Sequence, residues 1–275
     1  MAATTLPTSS PLRTWTLGSV FARTIAERSL LVSMSAAGLF LMNVWMGPLY
    51  NSLEDSLAEM AASLGDAMTS MFGDMATPEG WLSAEIYSLV APGLVIYVAI
   101  ASAARAFATE AEERSIGLLA ANPLSRRAIA AQKSAAMVCN VSVVAVLCGL
   151  GTWVGIQLGG LGIPAGHVAA ISLHLLLLGV VVGLATVIAA VLVPRARIAM
   201  AIGGALALVA YTWGSFVPLS DSLEGLAVLS PWHWYYGSEP LTNGVDWGYV
   251  GLFVALGAIL AAVAVYLFDR RDLPG

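Results

Sequence analysis

The sequence predicts an all-α integral membrane protein of six transmembrane helices, and three observations predict it. Hydrophobic residues make up 59% of the 275 and charged residues 11%, against roughly 45–50% and 25% in a soluble domain; the mean hydropathy is +0.83. Six stretches are apolar over a length sufficient to cross a bilayer, which takes about twenty residues as a helix. All 12 Lys and Arg residues fall in alternate connections between those stretches. So little charge cannot clothe a soluble globule of this size.

The elements follow in order. Residues 1–12, rich in Thr, Ser and Pro, read as a disordered tail. No short apolar run ending in a small-residue cleavage site precedes the first long apolar stretch. In residues 13–29, Trp15, Leu17, Val20, Phe21 and Ile25 alternate with Arg13, Arg23 and Arg28 at a spacing that predicts a helix lying in the interface, arginines toward anionic headgroups. Residues 1–29 are thus a tail and interfacial amphipathic helix, and residues 30–275 the six-span domain. The spans are expected at 30–49, 86–106, 135–158, 168–193, 198–217 and 250–268. Pro92 is expected to kink span 2 where Tyr87 and Tyr97 could line a cavity, and Pro194-Arg195-Ala196-Arg197 separates spans 4 and 5.

Orientation follows from the positive charges. Arg13, Arg23 and Arg28 precede span 1; Arg105, Arg114, Arg126, Arg127 and Lys133 surround the connection of spans 2 and 3; Arg195 and Arg197 lie between spans 4 and 5; Arg270 and Arg271 follow span 6. The opposite connections carry acids and no base: Glu54, Asp55, Glu59, Asp66, Asp74, Glu79 and Glu85 in one, Asp221, Glu224, Glu239 and Asp246 in the other. Both termini are therefore expected in the cytoplasm. A net charge of −5 and a pI near 5.1 argue against nucleic acid as a partner. Cys139 and Cys148 lie on opposite faces of one helix, cannot pair within it, and read as buried thiols.

The first external connection continues a helical stripe of Leu53, Leu57, Met60, Leu64, Met68, Met71 and Met75. Thioethers suit Cu(I), but methionine at helical spacing without Cys or His is expected to pack. Span 3 carries Gly151, Gly155 and Gly159 at intervals of four, and span 4 carries Gly179 and Gly183. Such ridges let helix backbones approach, within one chain or between two. His174 lies inside span 4, where an ionisable group is a functional candidate. Asn43, Tyr97, Asn140 and His174 are the candidate substrate-pathway residues, each of the three non-tyrosine groups having inter-helix hydrogen bonding as its plainer reading. Trp232, Trp234, Tyr235 and Tyr236, with His233, read as an interfacial aromatic belt on a short re-entrant element. No catalytic residues and no metal ligands are identified: no His-Glu-x-x-His, Gly-x-Ser-x-Gly or P-loop pattern occurs.

One short interruption remains. Residues 109–133 gather Glu110, Glu112, Glu113, Arg114, Arg126, Arg127 and Lys133 between two oily runs. Thr109 with Glu112 fits a capping box, Ile116, Leu118 and Leu119 give an apolar side, and Asn122-Pro123 ends the helix. This short amphipathic helix reads either as a solvated loop at the lipid surface or as a docking element for a cytoplasmic partner.

The run Glu112-Glu113-Arg114, Gly117-Leu118-Leu119, Pro123, Ser125-Arg126 and Lys133 resembles the connection of spans 2 and 3 in type-2 permeases of ATP-binding-cassette exporters, in their drug- and antibiotic-efflux branch. The six-span layout, the N-terminal amphipathic segment, the ending Phe268-Asp269-Arg270-Arg271-Asp272-Leu273 and the segment Pro231–Tyr236 are similar as well. One departure is Ser115-Ile116 before Gly117, where the family often has Gly-Thr-Leu-Glu.

The resemblance implies that residues 109–121 form a cytoplasmic coupling helix, with Glu112, Glu113, Arg114, Gly117, Leu118, Leu119, Pro123 and Arg126 contacting an ATP-binding-cassette ATPase subunit. ATP and Mg would then bind that partner, no cofactor would bind this chain, and the chain would work with a second copy or a related permease in the plasma membrane. The implied cargo is an amphipathic or lipid-like small molecule such as a drug or antibiotic. Two other readings stand beside it: a permease serving maturation of a metalloenzyme of the nitrous-oxide-reductase type, and, less favoured, a membrane-embedded lipid-modifying enzyme.

Overall fold

A computed structural model describes residues 20–63, 76–109, 125–193, 195–220 and 222–270. Six helices in it are long and apolar enough to span a membrane: span 1, Ser29–Leu57; span 2, Pro78–Ala108; span 3, Arg126–Gly159; span 4, Ala165–Leu192; span 5, Ala196–Leu219; and span 6, Trp247–Asp269. No strand occurs among the described residues. Spans 2, 3 and 4 are largely buried, whereas spans 1, 5 and 6 present most of their surface outward.

Three spans outrun their expected limits, span 2 by starting at Pro78. The helix of span 1 continues through Pro48 to Ser63. A proline costs a helix one N–H and one clash, yet the turns continue past it. Span 3 starts at Arg126, where the Ser125 hydroxyl accepts from the Ala128 amide at 3.2 Å. An apolar window locates the part of a helix that lies in lipid, while caps locate its ends, so the polar first turns of span 3 escape the window. At the other end Gly160 takes φ +63°, a left-handed stop, and its amide returns to the Ile156 carbonyl.

The closest contact in the bundle is between spans 1 and 3. A Cβ placed on Gly159 would sit 2.7 Å from the Gly47 carbonyl oxygen, and one on Gly151 would sit 2.6 Å from the Phe40 carbonyl oxygen. Gly47 and Gly155 meet backbone to backbone more tightly still. The glycine ridge of span 3 therefore packs within the chain. Gly179 and Gly183 of span 4 do the same: a Cβ there would strike Val95 and Val141, or Met137.

Span 2 is broken one turn before Pro92, at Ser88–Leu89, where Leu89 leaves helical geometry (φ −148°, ψ −45°). The ring of a helical proline collides with the carbonyl four residues earlier, here that of Ser88. A π-helical turn, Ser83–Tyr87, precedes the break and another, Arg105–Thr109, ends the span. Tyr87 and Tyr97 do not line a shared cavity, contrary to expectation. Tyr87 is fully buried and Tyr97 is 49% exposed, with the break at Ser88–Leu89 between them.

The aromatic segment also departs from expectation. Pro231–Tyr236 is a short helix folded into the acidic end of the bundle, with Trp232, Trp234 and Tyr235 buried and His233 and Tyr236 partly so. It is not a belt. Trp213, Phe216 and Trp247 are exposed near that end. Cys148 is buried, Cys139 is only partly so, and both are free thiols. Residues 110–124, with the segment likened to a coupling helix, and Met68, Met71 and Met75 lie outside the described residues.

Replacing Gly155 by Ala forces spans 1 and 3 apart and should lower stability by about 1–3 kcal/mol, the usual cost of overpacking. Gly38→Ala, on span 1 where nothing lies within 4 Å of the added methyl, should be neutral or slightly stabilising. Thermal unfolding of the two variants in detergent, followed by the loss of monodisperse protein, compares them directly.

Candidate functional site

Three polar groups and a thiol from spans 1, 2 and 3 close a ring in the apolar interior, beside the glycine contact. Asn43 Nδ2 donates to the Leu39 carbonyl at 2.7 Å and approaches Cys148 Sγ at 3.7 Å. The Cys148 thiol faces the Tyr87 hydroxyl at 4.0 Å. Tyr87 OH and Thr152 Oγ1 are 2.7 Å apart, and Thr152 Oγ1 lies 2.7 Å from Asn43 Oδ1. With Thr152 donating to Asn43 and Tyr87 donating to Thr152, each donor in the ring meets an acceptor. Thr152 Oγ1 also reaches the Cys148 carbonyl at 3.0 Å, as helical Thr side chains do. Asn43 and Thr152 are brought this close because Gly151 and Gly155 flank Thr152 on the face that meets span 1.

The aromatic helix is tied to the ring's neighbours. Tyr235 OH donates to the Tyr87 carbonyl at 2.7 Å, next to the break in span 2. His174 Nδ1 lies 2.8 Å from the Trp234 carbonyl. A carbonyl only accepts, so Nδ1 carries a proton, while Nε2 is buried and has no hydrogen-bond partner. The imidazole stands edge-on to Phe253 of span 6, ring centres 6.4 Å apart. Ser230 caps the helix, accepting from the Trp232 amide at 3.1 Å and donating to the Ala210 carbonyl of span 5 at 2.6 Å. His167 Nδ1 holds the following turn at the Leu241 carbonyl, 3.0 Å away. The helix is thus pinned to spans 2, 4 and 5.

At the basic end, Lys133 is 2% exposed and donates from Nζ to the Ala106 carbonyl at 2.7 Å, inside the π-helical turn that ends span 2. Its ammonium is 5.5 Å from the Phe107 ring. Phe107 in turn meets Phe268 of span 6 edge-on, 5.6 Å between centres. Arg127 and Asp269 pair at 2.9 Å on the exposed rim, an interaction of roughly 0–1 kcal/mol. Among the described residues no group of His, Cys, Asp and Glu could hold a metal ion.

The four candidate pathway residues do not converge. Asn43 belongs to the ring, Asn140 faces Ser102 at 3.4 Å, His174 holds the aromatic helix, and Tyr97 looks outward. Arg126 opens span 3 on its exposed side; Glu112, Glu113, Arg114, Gly117, Leu118, Leu119 and Pro123 fall outside the described residues. Thr152, Tyr235 and Lys133 were not singled out as site residues by the sequence. Thr152 had a signal, since it sits within the glycine ridge. Tyr235 had none, because its partner is a backbone carbonyl of a distant span.

An all-α bundle of six spans, with buried polar links between helices, defines a multi-pass membrane protein. Residues 17–269 match the family model described as the C-terminal domain of the multidrug efflux system permease Rv1217c. The chain belongs to this family of efflux permeases, as its resemblance to type-2 permeases implied. No curated protein matches it.

Two outcomes test the site. Thr152→Val leaves Asn43 Oδ1 without its donor and removes one partner of Tyr87 OH, and should destabilise by about 1–3 kcal/mol, while Thr152→Ser should stay near wild type; denaturation in mixed micelles reads both. Burial pulls the His233 imidazole below its ordinary pKa, with Glu224 opposing. The unfolded chain then binds the proton more readily than the folded one, so stability should fall as pH drops through about 6.5 and level off below the folded pKa. His233→Gln should flatten that part of a melting-temperature profile.

Proposed function

We propose that the chain is the membrane subunit of an ATP-binding-cassette exporter, working with a second copy or a related permease and driven by a separate ATPase subunit that binds ATP and Mg. Membership of the multidrug efflux permease family is the observation that carries this reading. The charge distribution supports the choice of cargo. Lys133 is the one buried charged side chain among the described residues, and it lies at the basic end. An interior of mostly neutral polar groups suits an amphipathic or lipid-like molecule and is poor for ions. The basic end faces the cytoplasm of a cell whose plasma membrane the chain crosses.

In this reading the segment 110–124 seats Glu112, Glu113, Arg114, Gly117, Leu118 and Leu119 against the ATPase, with Pro123 and Arg126 at its end. Its attachments are Thr109 at the end of span 2 and Ser125 at the cap of span 3. Closure of the ATPases displaces both attachments together. The Lys133 bond to Ala106 and the Phe107–Phe268 contact pass that displacement to spans 3 and 6.

Deleting residues 110–120 should abolish co-purification with an ATP-binding-cassette ATPase and stop cargo-stimulated ATP hydrolysis, while the six spans still fold. Efflux of a hydrophobic dye from proteoliposomes holding the chain alone, with no ATPase, would overturn the reading.

A further inference from the structure

Between span 5 and the aromatic helix the chain turns back on itself. A 3-10 turn, Val217–Leu219, ends the span, and a 3-10 helix, Glu224–Leu229, leads to Ser230 and the cap of Pro231–Tyr236. Three contacts fix the course of this return. The Trp213 indole donates to the Leu226 carbonyl at 2.9 Å, and Ser230 Oγ donates to the Ala210 carbonyl at 2.6 Å. A Cβ on Gly214 would lie 3.0 Å from Ser230 Oγ and 2.8 Å from the His233 amide nitrogen. Residues 226–230 therefore run back alongside span 5 from its acidic end. Ala210 and Trp213 lie about 13 Å and 9 Å along the helix from Leu219, at roughly 1.5 Å per residue. The span is 24 residues long, only about 6 Å more than a hydrocarbon core, counting both ends together. Both levels are inside the lipid.

The side chains of the return suit that depth. Leu223, Leu226, Val228 and Leu229 are exposed, Leu229 at 66%, and residues 225–238 contain no Asp, Glu, Lys or Arg. Val209, Trp213 and Phe216, four and three positions apart on one face of span 5, are exposed as well. The apolar surface of the return thus continues one that a membrane span already offers to lipid. Its backbone is the obstacle, because hydrocarbon supplies no hydrogen bonds to a segment outside a regular helix. Here the protein supplies them. The Trp213 indole takes the Leu226 carbonyl, and the Trp234 indole takes the Val228 carbonyl at 2.5 Å. The Ala227 carbonyl accepts from the Ser230 amide at 3.0 Å, and the Leu223 carbonyl from the Leu226 amide at 2.8 Å. An indole carries one donor on an otherwise apolar body, so it can satisfy a carbonyl from the lipid side without bringing a second polar group with it.

We infer that residues 223–229 form a contact surface for lipid acyl chains, immersed in the leaflet at the acidic end, with Leu223, Leu226, Val228 and Leu229 against the tails. Trp213 is its positioning residue, since its N–H closes the Leu226 carbonyl and holds the return against span 5. The lipid contact expected of the aromatic residues 232–236 falls instead to aliphatic residues a few positions earlier.

The test uses the full chain in phosphatidylcholine vesicles, carrying C139S so that a nitroxide label goes only to an introduced thiol, Cys148 being buried. Labels at L226C and L229C are read by collision with oxygen, which concentrates in lipid, and with a nickel chelate, which stays in water. Both should favour oxygen several-fold, as a label at I259C midway along span 6 should, while one at E59C beyond span 1 should favour the chelate. W213F keeps the ring and loses the N–H; it should shift the label at position 226 toward the chelate and lower the melting temperature. W247F, at an exposed indole of span 6, should do neither. L229C alters the most exposed of the four side chains and carries the test if L226C fails to fold. Chelate access at both labels, equal to that at E59C, would place the return in water and overturn the proposal. Low access to both reagents with spin–spin broadening would overturn it in favour of a second copy, and an unchanged W213F would remove Trp213 from the positioning role.

Discussion

The structure depends on spans 1 and 3 touching through bare backbone. In lipid, helices gain little from the hydrophobic effect against one another, and association rests on close packing and on polar contacts. Gly47, Gly151, Gly155 and Gly159 supply the closeness: their missing side chains let carbonyl oxygens of one helix lie against Cα atoms of the other. Once the two helices are that near, Asn43 and Thr152 are within a single hydrogen bond of each other. The polar ring is a consequence of the glycine contact as well as its reinforcement.

From this contact the rest of the interior can be followed outward. The ring recruits Tyr87, which places the π-helical turn of span 2 against span 3. The break after that turn, forced by Pro92, leaves the Tyr87 carbonyl to be taken by Tyr235. That bond, with His174 at the Trp234 carbonyl, draws a helix of aromatic residues out of the interface and into the bundle. An apolar surface that lipid would have covered is covered instead by spans 4, 5 and 6. The basic end is arranged differently: there Lys133, Phe107, Phe268 and the Arg127–Asp269 pair join three span ends around the two attachment points of the segment 110–124.

Much of this was legible beforehand. Six spans and their order were readable because lipid thickness imposes a length on apolar helices, a constraint local to each stretch. The break in span 2 was readable from Pro92, whose ring acts on a carbonyl four residues away. The ridge of span 3 was readable as a small-residue face, yet its partner was not. Nothing in the spacing of Gly151, Gly155 and Gly159 says whether Gly47 of the same chain or a second chain lies opposite. The aromatic helix was misread as a belt for a related reason, since Trp and Tyr are as suitable for an interface as for a hydrogen-bonded interior.

By itself, then, the sequence determined what each segment needs locally: a bilayer's length of apolar residues, a charge asymmetry between the two ends, a proline break. Only the tertiary structure decided which polar groups meet. Asn43 pairs with Thr152 across 109 positions and Tyr235 with Tyr87 across 148, distances over which sequence spacing carries no geometric information. The close approach of two helix backbones, and nothing in either helix alone, brings those groups together.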